Sequence, residues 1–335
     1  MDQPVAAGKD EDPLARKETS VKRVLMTAAL FALAGCASPS AASDSTSQAL
    51  PLGGREANSA GYLYVADRAL KAVMAFDRYG NKVAEKKFSQ IPFDVVTDSK
   101  GHVYVDTLYS TDGTFKIHEL THELNGEVAE YSTPGYAGTM TVDADDNLYV
   151  EDREFEKNVI AEDVVMYPYG STTIGKTYLV GSETGASRMT GISVRGSTLY
   201  APVSLDLGST YMYECPVDQP GNCAYKYTVE SATCGFTTTD RLALYGDEAF
   251  LARYQIADSR ERGVVDLPQG YTLGWAGFCN LHNDGHLVWG AMRSSTSNPA
   301  EAVEVDMDRG FIQTTIGAGY LSEPVAAYNG NGFTP

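Results

Sequence analysis

The sequence predicts an all-β chain folded as a six-bladed β-propeller, and three observations support this prediction. The 335 residues include 32 Gly and 21 Tyr, and glycine in turns with tyrosine in strands is typical of β structure. A short phrase, a turn followed by an apolar residue, an aromatic residue and Val, recurs six times at a spacing of about 45 residues. The residues around each copy alternate in polarity like four short strands, which matches a propeller blade.

The first 35 residues are typical of a bacterial export signal. Lys22 and Arg23 precede an apolar run of 11 residues, 24–34, which is too short to span a bilayer but suits a signal-peptide core. The run ends in Leu-Ala-Gly before Cys36, and this sequence resembles the lipobox of bacterial lipoproteins. The resemblance implies cleavage before Cys36 and lipidation of its side chain, whereas the alternative is an ordinary cleaved secretion signal.

Residues 36–59 are rich in Ser, Ala and Gly and lack periodicity, so they are interpreted as a flexible tether. The resemblance therefore places the folded part outside the cytoplasm, in the cell envelope and anchored by lipid. The residue after Cys36 is Ala37 rather than Asp, which resembles the pattern sorted to the outer membrane where a cell has one.

The acidity of the chain belongs to its folded part. The formal net charge is −18, and residues 1–35 carry five basic and five acidic residues, so the charge survives removal of the signal. Such a surface excludes nucleic acid as a partner, because neutralising phosphates needs clustered Lys and Arg. The same charge is expected to keep the chain soluble and away from anionic lipid.

The six copies of the phrase fill residues 60–335, which are predicted to form one propeller domain. Their central residues are Tyr64, Tyr104, Tyr149, Tyr200, Phe250 and Val288. In the first blade an alternating strand, a Gly80-Asn81 turn and a fourth strand at 82–88 follow the phrase. Residues 98–106 and 65–81 are similar to NHL-type propeller repeats, and the similarity is strongest in the first three blades.

The two ends of the domain predict how the ring closes. Residues 324–333 resemble the first strand and turn of a blade, with no blade after them, while the copy at Tyr64 begins with a second strand. We therefore expect the C-terminal segment to complete the N-terminal blade, because this arrangement removes two exposed sheet edges.

Four cysteines remain after Cys36, and an even number in an oxidising compartment indicates disulfides. Cys215 and Cys223 flank a segment with two prolines and a glycine, typical of a hairpin tip, and are the first predicted pair. Cys234 and Cys279 form the second pair by elimination. Four buried free thiols are the alternative.

Residues that begin the first strand of each blade are expected to surround the central channel. The best alignment of the copies places six candidate ligand-binding residues there: Asp94, Thr139, Thr190, Asp240, Trp275 and Glu323. Some NHL-like propellers are lactonases or lyases with a metal ion in the channel, and by that resemblance the three acids would hold a calcium, magnesium or zinc ion. The sequence lacks a matching signature of either enzyme family, so no cofactor is predicted. The favoured interpretation is that these residues form an ordinary solvent-exposed rim around the channel.

Two further motifs resemble metal sites. The segment from His118 to His122 matches the HExxH zinc motif, which binds metal when both histidines share a helix face. The blade pattern instead places it on a third strand and the following turn, which disfavours a zinc enzyme. The acidic segment from Asp143 to Asn147 resembles the start of a calcium loop but lacks its glycine and distal glutamate, so a hairpin turn is favoured.

The function predicted from these observations is that of a lipid-anchored binding or interaction module. Its ligand would be a protein, peptide or glycan in the cell envelope, its contact with the membrane would be through the lipid only, and it would be a monomer. The alternative is a divalent-metal-dependent hydrolase or lyase, lactonase-like, with its site in the central channel.

Overall fold

Each blade of the computed structural model is an antiparallel sheet whose strands follow one another from the axis outwards. The structure describes residues 61–108, 115–156, 159–183, 187–205, 209–230, 235–239, 241–246, 250–273, 280–294 and 299–330, all within one compact unit, Arg55–Pro335. These residues form six such sheets, so the predicted all-β six-bladed propeller is confirmed.

The first three blades have four strands each. Blade 1 contains β26 (Pro324–Asn329), β1 (Leu63–Asp67), β2 (Ala72–Phe76) and β3 (Lys82–Lys87); blade 2 contains β4 (Ile91–Thr97), β5 (Val103–Leu108), β6 (Phe115–Leu120) and β7 (Glu127–Thr133); blade 3 contains β8 (Tyr136–Val142), β9 (Leu148–Glu156), β10 (Val159–Tyr167) and β11 (Lys176–Glu183).

In blades 4 and 6 the innermost strand consists of two short pieces. Blade 4 contains β12 (Ser187–Met189), β13 (Ser193–Arg195), β14 (Thr198–Leu205), β15 (Ser209–Pro216) and β16 (Ala224–Glu230); blade 5 contains β17 (Gly235–Thr238), β18 (Leu242–Gly246), β19 (Phe250–Gln255) and β20 (Glu261–Asp266); blade 6 contains β21 (Tyr271–Leu273), β22 (Leu281–Asp284), β23 (Leu287–Ser294), β24 (Ala300–Asp306) and β25 (Phe311–Leu321).

The repeated phrase corresponds to a capped turn followed by the second strand of a blade. In blade 3 the Asp143 carboxylate accepts hydrogen bonds from the backbone N–H of Asp145 and of Asn147, both at 2.9 Å, and from the Tyr149 hydroxyl at 3.1 Å. Asp98 caps the turn of blade 2 in the same way. The carboxylate thus satisfies backbone donors that the tight turn leaves free. The calcium-like segment is therefore a hairpin turn, as predicted.

The hydrophobic core lies between neighbouring blades. Alternate residues of β1 point to opposite sides, so that Leu63 and Val65 pack with Trp289 of blade 6. Tyr64 and Ala66 face the other way and pack with blade 2. A blade buries its apolar faces only against its neighbours, so the sheets stabilise one another around the ring.

Ring closure occurs as predicted. Strand β26 pairs with β1 from Leu63 opposite Asn329 to Asp67 opposite Pro324. The Asp67 carboxylate also accepts hydrogen bonds from the backbone N–H of Ser322, at 2.6 Å, and of Glu323, at 3.0 Å. The C-terminal segment therefore supplies the innermost strand of the first blade.

The predicted position of the fifth copy is wrong. Phe250 begins β19, which is the third strand of blade 5, and the second strand is β18 with Leu244 at the equivalent position. Two apolar runs follow each other closely here, and the sequence pattern favoured the later one. With Leu244 as the fifth centre, the repeat is more regular than the sequence suggested.

Several predictions concern residues outside the described ranges. The export signal, Cys36 and the tether all lie before residue 61, and Cys234 and Cys279 also lie outside. The predicted disulfide between Cys215 and Cys223 is present. Within the described ranges no helix has the length and hydropathy needed to cross a membrane.

Candidate binding site on the propeller axis

The innermost strands of the blades surround the axis and share an irregularity at one level. In blades 1 to 4 the pairing between the innermost strand and the second strand is interrupted next to the residue that follows the Val position of the phrase. The residues placed at this level by strand register are Ala326, Asp94, Thr139, Thr190 and Asn280. Four of these side chains are polar and almost fully buried. An interrupted strand redirects side chains, which is common next to binding sites.

Local sequence explains two of these interruptions. In blade 4, Pro202 has no N–H to donate and faces Thr190, which donates its own N–H to the Pro202 carbonyl at 3.2 Å. Gly191 next to it has φ +144°, and a Cβ there would lie 2.6 Å from the Phe236 carbonyl oxygen of blade 5. In blade 3, Gly138 leaves room for the Glu151 carboxylate. These glycines allow the inner strands to approach their neighbours closely.

Asp94 is the most highly connected residue of this level. Its carboxylate accepts hydrogen bonds from the backbone N–H of Val95 at 2.8 Å and of Met140 at 2.7 Å, and lies 2.8 Å from His282 Nε2. The His282 ring also packs on Tyr328 in an edge-to-face arrangement, with ring centroids 4.9 Å apart. Asp94 is fully buried, and these contacts satisfy both of its oxygens, so it connects blades 2, 3 and 6.

Three other side chains present oxygen atoms that are buried and unpaired. Asn280 donates its Nδ2 to the Phe93 carbonyl at 3.0 Å, and this contact fixes Oδ1 as the free acceptor. Asn280 Oδ1, Thr139 Oγ1 and Thr190 Oγ1 have no hydrogen-bond partner within the described part of the chain. A narrow crevice is lined by Thr139, Met140, Gly191, Ile192, Phe236, Asn280, Leu281 and His282. The crevice therefore combines an apolar wall with the unsatisfied oxygens of Thr139 and Asn280, and Thr190 directly precedes its Gly191.

A buried acid lies beside this level. Asp106 is directly opposite Asp94 in the ladder between β4 and β5, and is fully buried. Burial, followed by the negative charges of Asp94 and Glu151, raises the pKa of Asp106 well above its ordinary value. Among the described residues its oxygens have no hydrogen-bond partner of standard geometry. The adjacent backbone of Thr107 lowers the pKa, but by less than burial and the two charges raise it. The Asp106 carboxyl group therefore binds its proton more tightly in the folded protein than in the unfolded chain.

The structure brings some of the sequence-predicted residues together and separates others. Asp94, Thr139 and Thr190 share the axial level. Glu323 directly precedes β26 and its carboxylate lies 3.7 Å from the Arg68 guanidinium. Asp240 and Trp275 lie outside the described residues; in the sequence they come between β17 and β18 and between β21 and β22.

The HExxH segment forms the end of β6 and the following turn, so its two histidines do not share a helix face. His118 Nδ1 lies 2.9 Å from Glu127, whereas His122 contacts Glu123 at 2.8 Å. His118, Glu127 and Glu130 form a loose group at the outer edge of blade 2 that could hold an ion, but Lys116 already pairs with Glu130 at 2.8 Å. An exposed acidic group with a lysine partner is common without any metal.

Asn280 and His282 were not among the sequence-predicted site residues. The signal that could have revealed them is position: Leu281–Asp284 directly precedes the copy centred on Val288, as a first strand should. The inner strand of blade 6 is divided into two pieces, and the alignment placed the start of the strand at Trp275, before the second piece.

The solved structures similar to this chain share its fold. A protein of unknown function from Bacteroides caccae has a TM-score of 0.59 at 10% identity, over 82% of this chain and 100% of that one. A chain of a nidogen–laminin complex has a TM-score of 0.55, also at 10% identity, over 82% and 100%. No protein-family model and no curated protein matches the sequence. At this identity the likeness establishes the fold alone.

Proposed function

We propose that this chain is a lipid-anchored, extracytoplasmic NHL-like propeller that binds a protein, peptide or glycan at its axial crevice. The observation that carries the proposal is the set of unpaired buried oxygens on Thr139, Thr190 and Asn280. A buried polar group without a partner costs about 1–3 kcal/mol. A ligand that donates hydrogen bonds to these oxygens would recover that free energy.

The scaffold around the crevice supports this role. Backbone and side-chain hydrogen bonds from different blades hold the crevice residues in place, including Asn280 on Phe93 and Asp94 on Met140. Side chains that a rigid scaffold already holds in place lose little conformational entropy when a ligand binds. A structural neighbour of the same fold occurs in a protein–protein complex, which is consistent with an interaction module.

The axial site is tested by removing one hydroxyl without changing side-chain shape. Ligands selected by the full chain from a glycan array and from a random-peptide library are measured against Thr139→Val and Thr139→Ser. The valine variant is expected to bind about tenfold more weakly, equivalent to about 1.4 kcal/mol, while serine restores the affinity. Equal affinity of wild type, Thr139→Val and Thr190→Val would contradict an axial site.

The anchoring is tested separately. The chain expressed in a bacterium is expected to incorporate labelled palmitate and to fractionate with the outer membrane where there is one. Cys36→Ala should abolish both properties, whereas Cys215→Ala should leave the label unchanged because Cys215 is already in a disulfide. Wild type that incorporates no palmitate would leave an ordinary secretion signal as the explanation of residues 1–35.

The second candidate is a divalent-metal-dependent hydrolase or lyase in the channel, and the paired His282 and Asp94 at the axis are the observation that favours it. Two of the three acids expected to hold the ion, Asp94 and Glu323, fit it poorly. Both Asp94 oxygens are engaged by protein groups, and Glu323 lies against Arg68. Metal analysis of the purified chain, with melting curves in the presence and absence of EDTA, decides the question: a stoichiometric metal and an EDTA-dependent shift would favour the enzyme.

A further inference from the structure

Basic residues are concentrated on one blade of this acidic protein. The chain carries a net charge of −18, yet residues 68–87 contain six basic and two acidic residues. The basic ones are Arg68, Lys71, Arg78, Lys82, Lys86 and Lys87. Strand β3, at the outer edge of blade 1, holds three of them, whereas the outermost strands described in the other blades hold at most one each.

The strand is open to solvent along its length. Lys82 and Lys87 are exposed and Lys86 is partly exposed. Lys82 and Lys87 share one acid, Glu85, at 2.5 Å and 3.6 Å. The hydrogen bond from Lys82 lowers the pKa of Glu85, so this acid is ionised and offsets one of the positive charges. The strand therefore retains a net positive charge.

Exposed aromatic and apolar side chains lie beside these lysines. Tyr79 is 72% exposed, and Val83 and Tyr320 are about half exposed. The Lys82 ammonium lies 5.8 Å from the centre of the Tyr320 ring, and the Arg78 guanidinium lies 4.8 Å from that of Tyr79. Tyrosines next to basic side chains suit a membrane–water interface, where the ring contacts the headgroup region and the cation contacts phosphate.

We propose that this basic edge, comprising Arg78, Tyr79, strand β3 and Tyr320, docks on an anionic membrane surface. Two arguments select this partner. The charge of the edge is opposite to that of acidic lipids, while the rest of the chain is repelled by them. Strand β1 of the same blade starts 27 positions after Cys36, and the tether predicted there would span roughly 30 Å if it behaves as a flexible chain.

The basic edge would give the chain a second contact with the membrane, in addition to the lipid anchor. Its orienting effect rests on the proposed lipidation, but binding of the edge to lipid does not. The lipid would hold the chain at the bilayer, and attraction at blade 1 combined with repulsion elsewhere would turn that blade towards the surface. Screening by salt should weaken this contact, because the charges are exposed.

Vesicle sedimentation tests the contact without the anchor. The chain from Ala37 onwards, which keeps the whole compact unit but lacks the signal and Cys36, is mixed with vesicles of phosphatidylcholine alone or mixed with phosphatidylglycerol. We expect binding to the anionic vesicles only, decreasing as salt is raised. The triple variant Lys82→Glu, Lys86→Glu, Lys87→Glu should reduce the partition coefficient by more than about tenfold, since each lysine near such a surface contributes about fivefold.

The matched control has the same change in net charge at other blades. Lys226→Glu, Arg260→Glu, Arg262→Glu alters exposed side chains of blades 4 and 5 and should reduce partitioning by less than about threefold. Equal losses in the two triple variants, or equal binding to both kinds of vesicle, would overturn the proposal. Amine labelling of the unmutated edge gives a readout that needs no folded variant: anionic vesicles should protect Lys82, Lys86 and Lys87 but leave Lys226 reactive.

Discussion

His282 Nε2 lies 2.8 Å from Asp94 Oδ1, and this contact joins two residues that are 188 positions apart in the chain. Blade 1 lies between the two blades that carry them, and Tyr328 of that blade packs on the His282 ring. Both side chains are at least nine-tenths buried. The pair therefore connects the last blade of the sequence to the second one across the strand that closes the ring.

Breaking this pair should strongly destabilise the fold. We expect His282→Ala and Asp94→Ala each to lower the free energy of unfolding by about 3–5 kcal/mol, because one partner is left buried and unpaired. Urea unfolding measures the change. His286→Ala is the control, since its contact with Asp308 is exposed and should contribute less than about 1 kcal/mol. A similar loss in the control and in His282→Ala would show that the axial pair does not stabilise the ring.

Asp106 should make the protein less stable as pH rises. Its pKa is raised in the folded state above the ordinary 3.8, so the folded state binds the proton more tightly than the unfolded state does. The stabilising contribution is complete below the ordinary pKa and is lost as pH increases towards the raised folded pKa.

Asp106→Asn removes this titration while keeping a similar shape. The free energy of unfolding of the variant, relative to wild type, should therefore increase between about pH 4 and neutral pH, as measured by urea unfolding at several pH values. Asp145→Asn, on an exposed turn, should show no such trend. A difference between Asp106→Asn and wild type that stays constant with pH would contradict the buried protonated acid.

Gly191 should be essential for the approach of blades 4 and 5. Gly191→Ala places a Cβ 2.6 Å from the Phe236 carbonyl, at a φ of +144° that alanine rarely adopts. We expect a loss of about 3 kcal/mol or more from the combined strain and clash. Gly196→Ala is the matched control, because its φ is also positive but no atom lies within 4 Å of the added Cβ. It should cost about 1 kcal/mol. Thermal melting measures both losses, and the larger loss at Gly191 would reflect its clash together with its more strained φ.

Reducing the disulfide of blade 4 should lower stability by about 2–3 kcal/mol, because it releases a loop with a sequence separation of 8. Unfolding of wild type and of the double variant Cys215→Ser, Cys223→Ser, with and without reductant, measures the effect. Reductant should have a smaller effect on the double variant. If the double variant remains as sensitive to reductant as wild type, another disulfide carries the effect, and Cys234 with Cys279 is the predicted one.

Local sequence was sufficient to predict the architecture, because each blade repeats the same short-range chemistry. Asp98 and Asp143 cap turns, and the apolar residues that follow fill the spaces between blades. Ring closure was also predictable, since a first strand at 324–329 without its own blade leaves one place to pair. Blade 5 was misplaced because two apolar runs, at β18 and β19, satisfy the same pattern.

The axial site depended on information that the sequence alone does not contain. Asp94, Thr139 and Thr190 could be selected because their blades have clear repeats, whereas Asn280 and His282 lie in a divided strand. Which side chains meet at the axis depends on the register of strands from different blades, and a shift of one residue turns a side chain to the other face. The sequence by itself determined the strands, the turns and the number of blades, because these follow from neighbouring residues. Only the tertiary structure decided that His282 meets Asp94 and that Asp106 is buried between acids.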